Sequence, residues 1–178
     1  MTLDINSLTP EFSKKAQELL DLCASNGLVV RPTFFTRSLA TQAKLWRQSR
    51  SREEIQGTID HLNSEDCGYL ATILEAVGPQ SGPWATNSLP GLSWHNWGQA
   101  MDVVYVSLNG VKATDEQLRD GNSIGYTLFG QYCNQLGLRW GGDFQHPDYD
   151  HVQLNLQEIT TLYTIKEVND HFEALGAE

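Results

Sequence analysis

The stretch SWHNWGQAMD, from Ser93 to Asp102, constrains this chain more than any other. It places the imidazole of His95 and the carboxylate of Asp102 seven residues apart, with Gly98 between them. An alternating run that begins at Ala100 predicts a strand, and the glycine permits the tight turn that must precede it. Asp102 would then stand among valines, where a carboxylate is costly unless it is paired or bound to a metal.

A second group of polar residues lies near the far end of the chain, at Asp148 and His151. His151 opens a short run that predicts another strand. Two imidazoles and one carboxylate, from His95, Asp102 and His151, would leave the fourth position of a catalytic zinc site open. The other histidines are assigned no role: His61, His146 and His171. We therefore predict a Zn²⁺ site formed by His95, Asp102 and His151.

Asp148 is the predicted general base. It precedes His151 by three residues and would lie in the loop before the strand, where it can face a water in the site. Asp150 is the alternative, but side chains alternate along a strand, so we expect Asp150 to point away from the site. The sequence therefore favours Asp148 over Asp150.

Arg37 is the predicted oxyanion-stabilising residue. It lies between a predicted strand and a predicted helix, a common place for functional side chains. A guanidinium there could stabilise a tetrahedral oxyanion or bind a substrate carboxylate. On composition alone, Arg31 or Arg139 would serve as well, so the choice among the three stays open at this stage.

Composition excludes several classes of protein. Of the 178 residues, 40% are hydrophobic and 19% are charged, which is typical of a folded domain. The net charge of -10 and the lack of a lysine and arginine cluster argue against nucleic-acid binding. No apolar run approaches the roughly 18 residues of a membrane span, so we predict no membrane insertion. No feature of the sequence specifies an oligomeric state.

The three cysteines are Cys23, Cys67 and Cys133. Their odd number and the lack of a CxxC pair predict neither a disulfide framework nor a cysteine zinc site. Cys23 and Cys133 fall on the apolar faces of predicted helices. We therefore expect buried thiols.

Local patterns predict an α+β fold. Helices are predicted at 10–25, 39–46, 52–62, 64–77, 121–136 and from 164 onward, and strands at 28–35, 100–106, 138–140 and 151–154. Asn109-Gly110 is a hairpin-turn signal. Adjacent strands at the centre favour a small antiparallel sheet flanked by helices.

Two helix faces and the domain organisation follow from the same patterns. Ile124 is predicted to face inward from its helix, and Leu175 to share the buried side of the last helix. We predict a single catalytic domain over 1–178, with an irregular excursion at 49–92 that borders the site.

The polar residues together resemble the motifs of the M15 metallopeptidases, zinc enzymes that cleave peptide bonds of peptidoglycan. The first motif, Ser-x-His-x-x-Gly-x-Ala-x-Asp, is matched at 93–102, and the second, Asp-x-x-His, at 148–151. The sequence FTRS around Arg37 and the sequence WGGD at 140–143 also look like family motifs. The resemblance extends over roughly 14–154, which is most of the chain.

The resemblance implies a fold of the Hedgehog and D-Ala-D-Ala peptidase type. It also implies roles for particular residues. These are zinc ligands at His95, Asp102 and His151, a catalytic base at Asp148, substrate contact by Arg37, and a supporting hydrogen bond from Ser93.

The resemblance further implies hydrolysis of peptidoglycan stem peptides. The family includes D-alanyl-D-alanine carboxypeptidases and phage L-alanyl-D-glutamate endopeptidases. The first ten residues lack a basic region followed by an apolar one, so we expect cytoplasmic synthesis without a signal peptide. Action on the cell wall or periplasm would then follow delivery by another route.

That expectation favours the L-alanyl-D-glutamate endopeptidase, with the D-alanyl-D-alanine carboxypeptidase as the alternative. From another class, the alternative is a non-catalytic zinc-binding module like the Hedgehog signalling domain. The excursion at 49–92 is longer than expected between the arginine and histidine motifs. We expect the choice of bond to depend on it.

Overall fold

The computed structural model describes residues 4–120 and 123–176. Its helices are α1 (Pro10–Ser25), α2 (Leu39–Arg47), α3 (Arg52–Ser64), α4 (Gly68–Ala76), α5 (Asp115–Arg119), α6 (Ile124–Gln135), α7 (Ile159–Leu162) and α8 (Ile165–Leu175). Its strands are β1 (Leu28–Phe34), β2 (Ala100–Leu108), β3 (Val111–Lys112), β4 (Arg139–Trp140) and β5 (His151–Gln153). The predicted α+β class is confirmed.

The first of two compact units comprises 1–36 and 97–156. Its antiparallel sheet has the order β1-β2-β5-β4, and β3 pairs with β2. Helices α1 and α6 bury their apolar faces in the core of this unit, which is closed by residues of β2 and β5. The largest fully buried members of this core include Phe12, Leu19, Leu28, Met101, Val103, Phe129 and Leu138.

Strand β2 lies inside the sheet, between β1 and β5, and its side chains alternate in burial. Met101, Val103 and Tyr105 are buried, whereas the residues between them are half-buried. The strand ends at Asn109 and Gly110, whose φ angles of 49° and 79° are those of a tight hairpin turn. The predicted turn is therefore confirmed, and it directs β3 back along β2.

Helix α6 approaches the sheet closely at two glycines. A Cβ atom at Gly125 would overlap the ring of Tyr105, and one at Gly130 would overlap the ring of Trp140. The face with the glycines is therefore the one that packs. The prediction that Ile124 faces inward is wrong, since its side chain is 50% exposed; hydrophobicity alone does not reveal a contact face built from glycines.

The second compact unit comprises 37–96 and 157–178. The two helices predicted within the excursion are present as α3 and α4, and they pack with each other and, through α4, with α8. This unit buries apolar side chains of all three helices, namely Ile55, Ile59, Leu62, Leu70, Ala71, Leu74, Val168 and Phe172. The prediction of a single domain over 1–178 stays a prediction.

Helix α8 begins as predicted and caps a second helix. Thr164 and Glu167 form a capping box at its start. One turn further on, buried Asn169 accepts a hydrogen bond from the backbone N–H of Leu70 at 3.1 Å, in the first turn of α4. The prediction that Leu175 is buried is wrong, because the last turn of α8 projects into solvent and Leu175 is 64% exposed.

Among the residues described, no helix combines the length and the apolar character that crossing a bilayer requires.

The three thiols are expected to be inert in the native protein. Cys23, Cys67 and Cys133 are free and fully buried. Burial raises the pKa of the Cys23 thiol to about 12 and also raises the pKa of Cys67 and Cys133.

Because the thiolate is the reactive form, we expect an aromatic disulfide reagent to label no thiol until urea unfolds the chain. Rapid labelling of the folded protein would contradict these positions.

Candidate metal centre

The pairing of β2 with β5 brings two predicted ligands together. Asp102 lies directly opposite His151 in this antiparallel register. Directly opposed side chains share a face of the sheet, and here Oδ1 of Asp102 lies 3.1 Å from Nδ1 of His151. On its other side, Asp102 pairs with Phe34 of β1, so the carboxylate is held on a strand with a neighbour on each side.

His95 is held by the main chain of its own loop. Its carbonyl oxygen accepts a hydrogen bond from the Arg37 N–H at 3.0 Å, and its side chain is 2% exposed. The ligand atoms of His95, Asp102 and His151 all lie within 4.8 Å of one another. The structure thus gathers the three predicted ligands, although their binding of a metal stays a prediction.

Gly98 shapes the path from the histidine loop into β2. Its φ of +65° is left-handed, and a Cβ there would lie 3.3 Å from the main chain of both Ser7 and Thr9. The carbonyl oxygen of Gly98 also accepts a hydrogen bond from the Thr9 N–H at 2.9 Å. The glycine between the two ligands is therefore required by backbone geometry and by space.

The donor set fits zinc. Two imidazole nitrogens and one carboxylate oxygen are common ligands of catalytic zinc sites. Ligand atoms of a tetrahedral zinc ion lie about 3.3 Å apart, and the 3.1 Å distance between Asp102 and His151 matches that spacing. We conclude that these residues can hold such an ion without rearranging the strands that carry Asp102 and His151.

Gln153 orients the imidazole of His151. Its Oε1 lies 3.0 Å from Nε2 of His151, while its amide group donates to the carbonyl oxygen of Asn155 at 2.7 Å. The amide oxygen therefore faces the ring, and in neutral His151 it accepts the Nε2 proton. Nδ1 then carries the lone pair on the side of Asp102, where a metal ligand needs it.

Charge around His151 favours its protonated form when no cation is present. Burial lowers the pKa of the imidazole, but the hydrogen bond and charge of Asp102, with the charge of Asp148, outweigh burial and raise the pKa overall. The same carboxylates would attract a cation to the site.

Asp148 and Asp150 lie in a turn that leads into β5. The carbonyl oxygen of Asp148 accepts from the His151 N–H at 3.1 Å, and the Asp148 N–H donates to Gly141 at 2.9 Å. Burial, a hydrogen bond to Asp148 and the nearby charges of Asp102 and Asp148 raise the pKa of Asp150 to about 8. Asp148 itself is exposed.

The strand-alternation argument for turning Asp150 away from the site does not hold. A hydrogen bond with Asp148 and the charge of Asp102 both contribute to the raised pKa of the Asp150 carboxyl group. Strand alternation does not apply, because β5 begins only at His151 and Asp150 belongs to the preceding turn. Both aspartates are therefore near the ligands, and the role of Asp148 as the base stays a prediction.

Arg37 is held by Gln42 of α2. Nη1 of Arg37 donates to Oε1 of Gln42 at 2.9 Å, and the fully buried Gln42 in turn donates from Nε2 to the carbonyl oxygen of Ser88 at 2.8 Å. Asn96 donates to the carbonyl oxygen of Arg37 at 2.8 Å. Both the main chain and the guanidinium of Arg37 are therefore fixed.

Three positioning residues were not predicted as such: Gln42, Asn96 and Gln153. Gln42 interrupts an otherwise apolar helix face, and Gln153 is two residues beyond His151 on the same strand. A polar side chain at either of these positions would be buried, and a buried polar side chain usually has a hydrogen-bond partner. The carbonyl oxygen of Ser93 accepts from the Asn96 N–H at 2.8 Å, which closes the loop of His95. The predicted supporting role of the Ser93 side chain stays a prediction.

The segment that carries all three ligands matches a known family. Residues 86–154 match a model of the M15 peptidases described as D-alanyl-D-alanine carboxypeptidase. Residues 86–154 belong to the M15 peptidase family. With the metal-binding group in this M15 segment, the chain is a metallopeptidase. No curated protein matches the chain.

Three solved structures are similar to the chain as a whole. One is a variant of the vancomycin-resistance D,D-pentapeptidase VanY from a VanB-type cassette, in complex with Zn(II). It is 16% identical, has a TM-score of 0.45, and the match covers 90% of this chain and 83% of that one. The Serratia marcescens L-Ala D-Glu endopeptidase ChiX is 17% identical, with a TM-score of 0.46 and coverage of 85% and 83%.

VanYB in complex with D-alanine-D-alanine is 15% identical, with a TM-score of 0.44 and coverage of 94% and 77%. At these identities and scores, the three structures carry no argument about the activity of this chain. The assignment to the M15 family depends on the match at 86–154 and on the residues within it.

Removal of a ligand should abolish metal binding. We expect the wild-type protein to retain about one zinc ion per chain after dialysis, and His151→Ala and His95→Ala to retain little, because two donors hold the ion weakly. Metal content is measured by inductively coupled plasma mass spectrometry. The control is His61→Ala, on an exposed position of α3. Stoichiometric zinc in both ligand variants would refute the predicted site.

Gly141 should tolerate no side chain. A Cβ there would overlap the carbonyl oxygen of Asp148 and lie 2.9 Å from Cβ of His151. We expect Gly141→Ala to cost about 1–3 kcal/mol of stability, as overpacking does, and to weaken zinc binding. Urea unfolding gives the first quantity and metal titration the second.

The matched control for this change is Gly57→Ala in α3, where a Cβ meets nothing within 4 Å. Alanine should stabilise that helix by about 0.5–1 kcal/mol. Equal unfolding midpoints for the two variants would show that the turn before β5 is looser than described.

Proposed function

We propose that this protein is a zinc-dependent peptidase that hydrolyses L-alanyl-D-glutamate bonds in peptidoglycan stem peptides. The observation that carries the proposal is the metal-binding group of His95, Asp102 and His151 within the M15 segment. The cell wall or periplasm is the proposed place of action.

His95, Asp102 and His151 would hold the zinc ion. When bound, zinc supplies Lewis acidity, which polarises a carbonyl group and acidifies water. Gln153 keeps Nδ1 of His151 available to the ion by accepting the proton on Nε2.

Asp148 is the proposed general base. Its exposed carboxylate takes a proton from the attacking water and returns it to the amine that leaves when the peptide bond breaks. Asp150, whose raised pKa keeps it protonated near neutral pH, donates a hydrogen bond to that carboxylate and orients it. Arg37, held by Gln42, stabilises negative charge on the substrate.

The choice of an internal bond is supported by the charge of the loop beside His151. Residues 141–150 contain no lysine or arginine, and two of their three aspartates, Asp143 and Asp148, are exposed carboxylates. The nearby guanidinium of Arg139 stacks on Phe144 of this loop and offsets part of that charge. A carboxypeptidase must bind the terminal carboxylate of its substrate, and an acidic loop would repel that group. Cleavage within the peptide does not require a terminal carboxylate at this position.

D-Alanyl-D-alanine carboxypeptidase is the second candidate. The description of the family model that matches 86–154 favours it. Arg37 would then bind the terminal carboxylate. Mass spectrometry of muropeptides after incubation with the protein separates the two activities, since one releases a terminal D-alanine and the other cuts after L-alanine.

Loss of the base should remove activity without removing the metal. We expect Asp148→Asn to retain zinc and to lose about 10²–10⁴ in rate, the usual contribution of a general base. The measurement is release of peptide fragments from purified muropeptides, with metal content determined on the same samples. Unchanged hydrolysis by this variant would refute the proposed role.

Asp143→Asn is the matched control, because it removes a carboxylate from an exposed position of the same loop. It should retain wild-type activity. Asp150→Asn tests the alternative assignment: an amide at 150 can still donate to Asp148, so we expect a loss much smaller than that of Asp148→Asn. The opposite order of losses would make Asp150 the base.

A further inference from the structure

Arg50, just beyond the end of helix α2, stacks on the rings of two tryptophans, Trp46 and Trp84. The guanidinium carbon of Arg50 lies 4.0 Å from the ring centroid of Trp46 and 4.0 Å from that of Trp84. Trp46 is buried, whereas Trp84 is 53% exposed. The arginine thus packs on one face of the Trp84 indole, while about half of the Trp84 surface stays exposed to solvent.

The stack is anchored on both sides. Arg50 donates from Nη1 to the carbonyl oxygen of Trp46 and from Nη2 to that of Thr86 at 3.0 Å. The hydroxyl of Ser49 donates to the carbonyl oxygen of Gly82 at 2.6 Å, which ties the loop of Trp84 to the end of α2. An exposed ring held in this way loses little conformational entropy when a ligand stacks on it.

Apart from Arg50, which stacks on its ring, the segment around Trp84 carries no charged side chain. Residues 77–92 contain no lysine, arginine, aspartate or glutamate, although the chain as a whole has a net charge of -10. The exposed polar side chains near it in sequence include Ser81 and Asn87, a hydroxyl and an amide. These features favour a neutral ligand with an apolar face and a rim of hydrogen-bonding groups.

A pyranose ring has this chemistry. Its axial C–H groups form an apolar face that packs on an indole, whose π-system presents partial negative charge. Its hydroxyl and acetamido groups point outward from the ring edge, where amides and hydroxyls can bond to them. Phosphates and charged peptides would require charged side chains beyond Arg50, whose guanidinium already stacks on Trp46 and Trp84 and donates to the carbonyl oxygens of Trp46 and Thr86.

The loop that carries Trp84 also helps to position Arg37, through hydrogen bonds to Gln42. Gln42 donates to Ser88 at 2.8 Å and to the hydroxyl of Thr86 at 3.5 Å, and it accepts from Arg37 at 2.9 Å. Trp84 is therefore two residues from a contact that positions a proposed substrate-binding group. The match to the M15 family begins only at residue 86, so Trp84 lies outside the matched segment.

We propose that Trp84 is a sugar-binding platform on which an N-acetylhexosamine of the glycan strand stacks. The proposal builds on the proposed function, since the stem peptide is attached to such a sugar. Trp84 would favour peptides that are still attached to glycan over free peptides. Arg50 is a positioning residue that keeps the indole fixed.

A binding experiment tests the platform without any catalysis. Chitotetraose, a neutral N-acetylglucosamine oligomer, is titrated into the wild-type protein and into Trp84→Ala, Trp84→Phe and Leu175→Ala, with binding followed by NMR. We expect Trp84→Ala to weaken affinity by about 3- to 10-fold, as loss of one aromatic contact does, and Trp84→Phe to weaken it less. Leu175→Ala, at another exposed apolar position, should match the wild type. Equal affinity of the wild type and Trp84→Ala would overturn the proposal.

A kinetic experiment tests whether Trp84 contributes to cleavage of glycan-attached substrate. We expect Trp84→Ala to cleave glycan-attached peptides in sacculi about 3- to 10-fold more slowly and to cleave a free stem peptide at the wild-type rate. An equal loss on both substrates would assign Trp84 to the fold and overturn the proposal. If the wild-type protein cleaved neither substrate, the proposed function would fail, and the sugar titration would still decide whether Trp84 binds sugar.

Discussion

The pairing of Asp102 with His151 across two adjacent strands is the constraint on which the site depends. Their contact of 3.1 Å lies next to the carboxyl groups of Asp148 and Asp150. Partly buried carboxylates gathered in this way cost free energy unless a cation compensates them. A bound metal would therefore stabilise the native arrangement as well as serve chemistry, because the unfolded chain cannot assemble these ligands.

In the first unit, two candidate ligands lie on strands, whereas the proposed base lies on a turn. Asp102 lies on the central strand and His151 on its neighbour, so their separation is set by main-chain hydrogen bonds. The proposed base lies on a turn exposed to solvent, where water and substrate can reach it. Ligands on strands are held more precisely than ligands on loops, whereas proton transfer requires access.

The sequence predicted those features that depend on local chemistry. The capping box at Thr164, the turn at Asn109 and the strand that carries Asp102 each have a short-range physical cause, and each is present. The three ligands could be named in advance because a carboxylate within an apolar strand needs a compensating partner, and two histidines near predicted strands supply the donors that zinc prefers. The α+β class followed from the order of these elements.

Features that depend on packing at a distance could not be predicted in this way. Ile124 is exposed because glycines on another face of α6 make the contact with the sheet. Alternation cannot be applied to Asp150, because β5 begins at His151 and Asp150 lies in the turn before it. Gln42 and Gln153 acquire their roles only from partners that the fold brings to them.

The cap on helix α4 has a consequence for the order of folding. The first turn of α4 is completed by Asn169, which lies 99 residues further along the chain than Leu70. At a synthesis rate of about 5–20 residues per second, the ribosome needs roughly 5–20 seconds to make that interval. During this time α4 can pack on α3 but lacks the cap from Asn169 and its contacts with α8, so the unit formed by 37–96 and 157–178 reaches its final packing only after α8 has been made.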